Sequence, residues 1–91
     1  MAKWDRKYHE EFAVDAVKTA KRELPYTYEC SSQAVYATIR ANKDIARARA
    51  HLSSIGQREG KRTRKLWGAV GKVERQVEQA ANRIAKCLLP R

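Results

Sequence analysis

The chain has 91 residues and a formal net charge of +10, with 20 lysines and arginines against 10 aspartates and glutamates. A chain of this length forms one small domain with a thin core. Its 43% of hydrophobic residues is too high for a disordered tail. Because it has neither an apolar run of about 18 residues nor a secretory signal pattern, we expect an intracellular protein, cytoplasmic or in the nucleoid or nucleus, without membrane contact.

The positive charge is concentrated in the middle of the chain. Residues 1–39 sum to zero, residues 40–72 carry +8, and residues 73–91 carry +2. Positive charges concentrated in a small domain repel one another, and binding to a polyanionic partner would reduce this repulsion. This pattern favours nucleic acid as the partner, with an acidic protein surface as the alternative.

The first predicted helix spans about residues 6–23. Its apolar residues recur with helical spacing on one arc, which contains Phe12, Ala13, Ala16, Val17, Ala20 and Leu24. Pro25 should end this helix, because proline lacks an amide donor and disfavours helical backbone before it. Tyr26 and Tyr28 follow, and we expect their rings to cover the core.

The second predicted helix spans about residues 32–55, with Ser31 or Ser32 as its cap and Gly56 at its end. One face carries Val35, Ile39, Ala46 and Ala50, bordered by Ala41, Ile45, Ala48 and Leu52. The opposite face carries a polar row at intervals of four and three, formed by Tyr36, Arg40, Lys43, Arg47, His51 and Ser54. We expect Asp44 to lie off this row, which would leave the row free of carboxylates.

The third predicted helix spans about residues 61–89 and has an apolar seam. The seam residues, at near-heptad spacing, are Leu66, Val70, Val73, Val77, Ile84 and Leu88. The first helix is too short to cover two long ones. We therefore predict an all-α fold, a short N-terminal helix with two long antiparallel helices as a three-helix bundle or helical hairpin, which self-associates into a homodimer or higher oligomer.

A second basic row follows the third helix. It consists of Lys61, Lys65, Gly68, Lys72, Arg75, Gln79, Arg83 and Lys86. Gly68 costs a helix about 1 kcal/mol relative to alanine, so either a ligand approaches the backbone there or another helix packs closely. The predicted nucleic-acid contacts are Tyr36, Arg40, Lys43, Arg47, Arg58, Lys61, Arg62, Arg64, Lys65, Lys72 and Arg75.

No catalytic pattern is present, so we expect a binding protein without cofactor or metal rather than an enzyme. His9 and His51 lack the spacing of zinc ligands. Cys30 and Cys87 could form a bridge, but buried free thiols are the usual state in an intracellular chain with two cysteines.

Two segments of the chain resemble a known family. Residues 7–12 and 15–18 resemble the opening helix of the small helix-turn-helix subunits of insertion-sequence transposases, and residues 31–36 with 39–40 are similar to their recognition helix. The resemblance implies DNA contacts from Gln33 and Tyr36 and dimerisation through the third helix. The chain departs from that family at residues 24–29, which are too short for the family's intervening helix and contain Pro25, and we do not assign it there.

The sequence therefore predicts a small basic protein that binds the phosphate backbone of DNA or duplex RNA largely without reading sequence. Lysine and arginine rows on rigid helices can contact phosphates and release condensed counterions. Only Gln33 stands where a base-reading side chain is usual. The alternative is a small phage or viral accessory protein or inhibitor that docks on an acidic surface of a host protein.

Overall fold

The computed structural model describes residues 3–55 and 60–88, with side chains from residue 6 onward. It contains helix α1 (Lys3–Glu23), a 3₁₀ helix (Leu24–Tyr28), helix α2 (Ser32–Ser54) and helix α3 (Lys61–Leu88). The described ranges contain no strand, so the prediction of an all-α fold is confirmed. None of the described helices is both long enough and apolar enough to cross a membrane.

The ends of the helices follow local chemistry. Pro25 occupies the first turn of the 3₁₀ helix, directly after α1 ends at Glu23. Ser31 caps α2, because its hydroxyl accepts a hydrogen bond from the amide of Ala34 at 3.3 Å. Gly60 precedes α3 with φ +80°, a left-handed conformation that favours glycine.

Helices α1 and α2 run in opposite directions. His9, near the start of α1, faces His51 in the last turn of α2. Glu23, at the end of α1, pairs with Arg40 in the first half of α2. The core between them contains many alanines, which allow the two helices to approach closely.

Helix α3 runs antiparallel to α2. Arg49 in the second half of α2 pairs with Glu74 in the middle of α3. Cys30, just before α2, is joined to Cys87 at the end of α3. One core therefore combines the three helices, and its members are Ala13, Ala16, Val17 and Ala20 of α1, Ala41, Ile45, Ala48 and Leu52 of α2, and Val70, Val73 and Val77 of α3.

The buried face of α2 differs from the predicted one. Ala46 and Ala50 are exposed, Ile39 is largely exposed and Val35 is half-buried. The residues predicted only to border the core, Ala41, Ile45, Ala48 and Leu52, are buried. Apolar residues occupy most sides of α2, so periodicity left its orientation ambiguous and packing against α1 decided it.

The aromatic residues also depart from expectation. Tyr28 is 72% exposed and Tyr26 is exposed, so neither ring covers the core. Thr27 between them is buried instead, and its hydroxyl donates to the carbonyl of Leu24 at 2.6 Å. Phe12, predicted on the apolar arc, is largely exposed and stacks on His51.

The seam of α3 is largely covered within one chain. Val70, Val73, Val77 and Ile84 are buried, and Leu66 packs against the core. Leu88 is 43% exposed. It borders an open apolar groove of about 340 Å³ between α2 and α3, lined by Val35, Thr38, Ile39, Ala81, Ile84, Ala85 and Leu88.

The prediction of buried free thiols is wrong. Cys30 and Cys87 form a disulfide with a Cα–Cα distance of 5.9 Å, and both residues are exposed. Closing a loop with a sequence separation of 57 constrains the unfolded chain and stabilises the fold by about 4 kcal/mol on the chain-entropy model. Disulfides are typical of oxidising compartments, and the intracellular location stays a prediction.

We expect Val77→Asp to abolish cooperative folding, because the new carboxylate would be buried in the seam without a partner at a cost of several kcal/mol. Circular dichroism of the parent should show above about two-thirds helix, well past the usual third, and a cooperative melt. Gln76→Asp places the same charge at the exposed neighbouring position and is the control. Similar melting curves for the parent and Val77→Asp would contradict the packing of α3.

Candidate nucleic-acid interface

The basic row of α2 is partly neutralised by acidic residues. Arg40 donates to both carboxylate oxygens of Glu23, Nε to Oε1 and Nη2 to Oε2, each at 3.2 Å. This hydrogen bonding raises the pKa of Arg40 above its ordinary value. Arg47 Nη2 lies 3.1 Å from Asp44 Oδ1, so the expectation that the row is free of carboxylates is wrong. Of the predicted α2 cations, only Lys43 is exposed without a carboxylate partner in the described part of the chain.

His51, near the C-terminal end of the α2 row, contacts α1. His51 Nδ1 lies 3.0 Å from His9 Nδ1, and its ring stacks on Phe12 with centroids 5.2 Å apart. Desolvation lowers the pKa of His51, and the nearby His9 and Arg47 lower it further. His51 therefore acts in packing rather than on an open binding face.

Arg62 is held by a buried carboxylate. Glu10 of α1 is 5% exposed, and its Oε2 lies 3.0 Å from Arg62 Nε. Its Oε1 accepts from Arg6 Nε at 3.1 Å and from the Thr63 hydroxyl at 3.4 Å. Arg62 thus anchors the start of α3, and Arg58 lies outside the described residues.

In contrast to Arg40, Arg47 and Arg62, cations on the outer face of α3 have no carboxylate partner among the described residues. Five of the predicted nucleic-acid contacts on α3 are exposed, and none of these five forms an ion pair with another described residue. These five, called the α3 basic face below, are Lys61, Arg64, Lys65, Lys72 and Arg75. Glu74, the acid adjacent to Arg75, is held by Arg49 at 2.8 Å. The face spans about 21 Å along the helix at 1.5 Å per residue.

The α3 basic face and the α2 row lie on different sides of the molecule. The α2 row borders α1, as the pairing of Arg40 with Glu23 shows. The α3 basic face lies opposite the buried side of its own helix, which carries Val73 and Val77. The two rows therefore have different surroundings, with α1 beside the α2 row and solvent around the α3 basic face.

Tyr36 stands apart from the α3 basic face. It is 60% exposed and lines a shallow pocket beside α1 with Glu23, Tyr26, Gln33 and Arg40. Gln33 and Tyr36, the two residues singled out by the transposase resemblance, are therefore close together. Glu23 pairs with Arg40 in this pocket and offsets its positive charge, which weakens the pocket's attraction for phosphate.

A shallow groove of about 390 Å³ runs along α3, lined by Arg64, Trp67, Gly68, Gly71 and Arg75. A Cβ atom at Gly68 or Gly71 would meet no described atom within 4 Å. Close packing against another helix of the same chain therefore does not explain either glycine. Gly71 is not among the residues singled out from the sequence. The intervals of four, three and four residues in the series Arg64, Gly68, Gly71 and Arg75 nevertheless place it on one stripe of the helix.

The described residues contain no group of three or more histidines, cysteines, aspartates or glutamates that could hold a metal ion. Comparisons with protein-family models, curated proteins and solved structures found no match to this chain. The partial resemblance to transposase subunits has no support from these comparisons. Residues 24–28 form a 3₁₀ helix at the point where the chain departs from that family.

We expect the melting temperature to fall as the pH drops from about 7 to about 5. The lowered pKa of His51 means that the unfolded chain, whose histidines titrate near 6.5, binds protons more readily than the fold. Stability is therefore greatest above about pH 6.5. In His51→Gln the dependence should be shallower over this range, measured by thermal melts. Equal slopes in the two proteins would show that His51 is not responsible.

Proposed function

We propose that this protein binds nucleic acid, DNA or duplex RNA, through the α3 basic face. The observation that carries the proposal is that the five exposed cations on one side of a single helix have no carboxylate partner among the described residues. Glu23, Asp44 and Glu74, by contrast, each hold an arginine. The five cations of the α3 basic face are not neutralised by an ion pair among the described residues, so their charge is available to a polyanion.

The length of the face fits a phosphate backbone. Its span of about 21 Å corresponds to about six base pairs at a rise of 3.4 Å per strand position. Each lysine or arginine that neutralises a phosphate releases a condensed counterion, which favours binding in an entropic and salt-dependent way. A face of this size can engage several consecutive phosphates.

The face contacts phosphates rather than reading bases. Asparagine and glutamine, which read adenine, are absent from the five, and lysine and arginine contact either guanine or phosphate. Contacts of lysine and arginine to phosphate fix position and carry no sequence information. Affinity should therefore vary little between duplexes of different sequence.

We expect the logarithm of the affinity for a generic duplex to fall with the logarithm of salt concentration at a slope of about −4.5 if all five cations touch phosphates. The double variant Lys65→Gln, Lys72→Gln should reduce the slope to about −2.7. Fluorescence anisotropy at several salt concentrations measures both. The matched control is Lys18→Gln, Lys21→Gln, which removes two exposed charges from α1 and should leave the slope unchanged.

A result in which both double variants lower the slope equally would mean that net charge acts rather than the α3 basic face. If the parent binds duplexes only feebly at moderate salt, the acidic protein surface becomes the better explanation of the face. The function that then explains the positive charges is inhibition of a host protein by a phage or viral protein.

We also propose that two copies associate through the apolar groove between α2 and α3. Its lining contains no charged residue, and Ile39 and Leu88 are exposed there. Burial of this apolar surface would supplement the thin core of a small domain.

Light scattering should return a mass above the 10.4 kDa of one chain for the parent. Ile39→Lys should return one chain, because a charge in the groove opposes its burial. Gln33→Lys adds the same charge at another exposed position of α2 and should still associate. A parent that is monomeric at micromolar concentration would contradict the association.

A further inference from the structure

The groove along α3 combines guanidinium groups with bare helix backbone. Arg64, Gly68, Gly71 and Arg75 stand at intervals of four, three and four, which places them on one straight stripe of the helix. Arg64 and Arg75 are about 16.5 Å apart along the axis. Between them, for about two turns, the stripe carries no side chain, and Trp67 lines the same groove.

We propose that one strand of nucleic-acid backbone crosses α3 at Gly68 and Gly71, in direct contact with the helix, with Arg64 and Arg75 holding phosphates on either side. This inference rests on the proposed function and specifies where the strand lies. Guanidinium groups bind phosphate oxygens through two parallel N–H donors, so the two arginines are suited to clamp a strand between them.

The energetics of the two glycines support an external ligand. Each glycine within a helix destabilises it relative to alanine. Inside the chain nothing described occupies the space that a Cβ would take at either position. The two glycines therefore weaken α3 without serving the packing of the described fold, and they lie on the face that carries the exposed cations.

The positive charge around the α3 groove favours nucleic acid over a second copy of the chain as its ligand. Glycine stripes also allow helices to pack closely, but a second copy packed here would bring its own Arg64 and Arg75 against the same positive face. The arginines of both copies would face each other here, whereas the groove between α2 and α3 is lined without charged residues, so a contact between copies would be repulsive at this place in particular. A phosphodiester strand has the opposite charge and needs the close approach that the glycines permit.

The test substitutes the glycines without changing any charge. Gly68→Ala, Gly71→Ala should raise the melting temperature, because both positions are open and alanine favours helix. The same double variant should weaken duplex binding about tenfold, and Gly68→Gln should weaken it more. The salt slope should equal that of the parent, because no phosphate contact by a cation is removed. Asn82→Ala, at an exposed position of α3 away from the groove, is the control for added helix stability and should bind as the parent does.

The possible results separate this inference from the proposed function. If Lys65→Gln, Lys72→Gln weakens binding while the glycine variants bind as the parent does, the strand does not cross at the glycines and the proposed function stands. If the glycine variants change the mass in light scattering and leave duplex binding intact, a second copy occupies the groove and the inference is overturned. If the parent binds no duplex, the inference and the proposed function fall together.

Discussion

The buried carboxylate of Glu10 is the constraint on which the orientation of α3 depends. It receives Arg62 and the Thr63 hydroxyl from the first turn of α3, and Arg6 from its own helix. The two contacts with α3 join segments more than 50 residues apart in sequence. Burying a carboxylate is costly unless it is paired and hydrogen-bonded, so removal of these partners would leave an uncompensated charge between the helices. The carboxylate thereby ties the first turn of α3 to α1.

The two ends of α3 are held by different means, and the basic face lies between them. At the first turn, Glu10 holds Arg62. At the other end, the Cys30–Cys87 disulfide joins α3 to the segment before α2, and the Arg83 guanidinium lies 4.3 Å from the centre of the Tyr28 ring. A helix fixed at both ends presents its central cations with little backbone freedom left to lose. This pre-organisation lowers the entropic cost of binding an extended polyanion.

The positions of the acidic residues decide, more than the net charge does, which cations remain unpaired. Glu10, Glu23 and Glu74 each pair with an arginine on a different helix, whereas Asp44 pairs within α2. The pairs of Glu23, Asp44 and Glu74 involve exposed arginines and contribute little to stability, typically up to about 1 kcal/mol each. They do remove attractive sites for phosphate from α2 and from the first turn of α3. The outer face of α3 keeps five exposed cations without an ion pair among the described residues.

The sequence by itself determined that the chain is helical, because proline, serine and apolar periodicity act within a few residues of each other. It also determined the two faces of α3, since valines and cations alternate there with a clear helical period. The orientation of α2 depended on the tertiary structure, because its alanines allow several faces to pack. The ion pairs of Arg40 and Arg62 and the bond between Cys30 and Cys87 join residues distant in sequence. No local pattern specifies such partners, so only the packing of the three helices decided which cations remained available to a ligand.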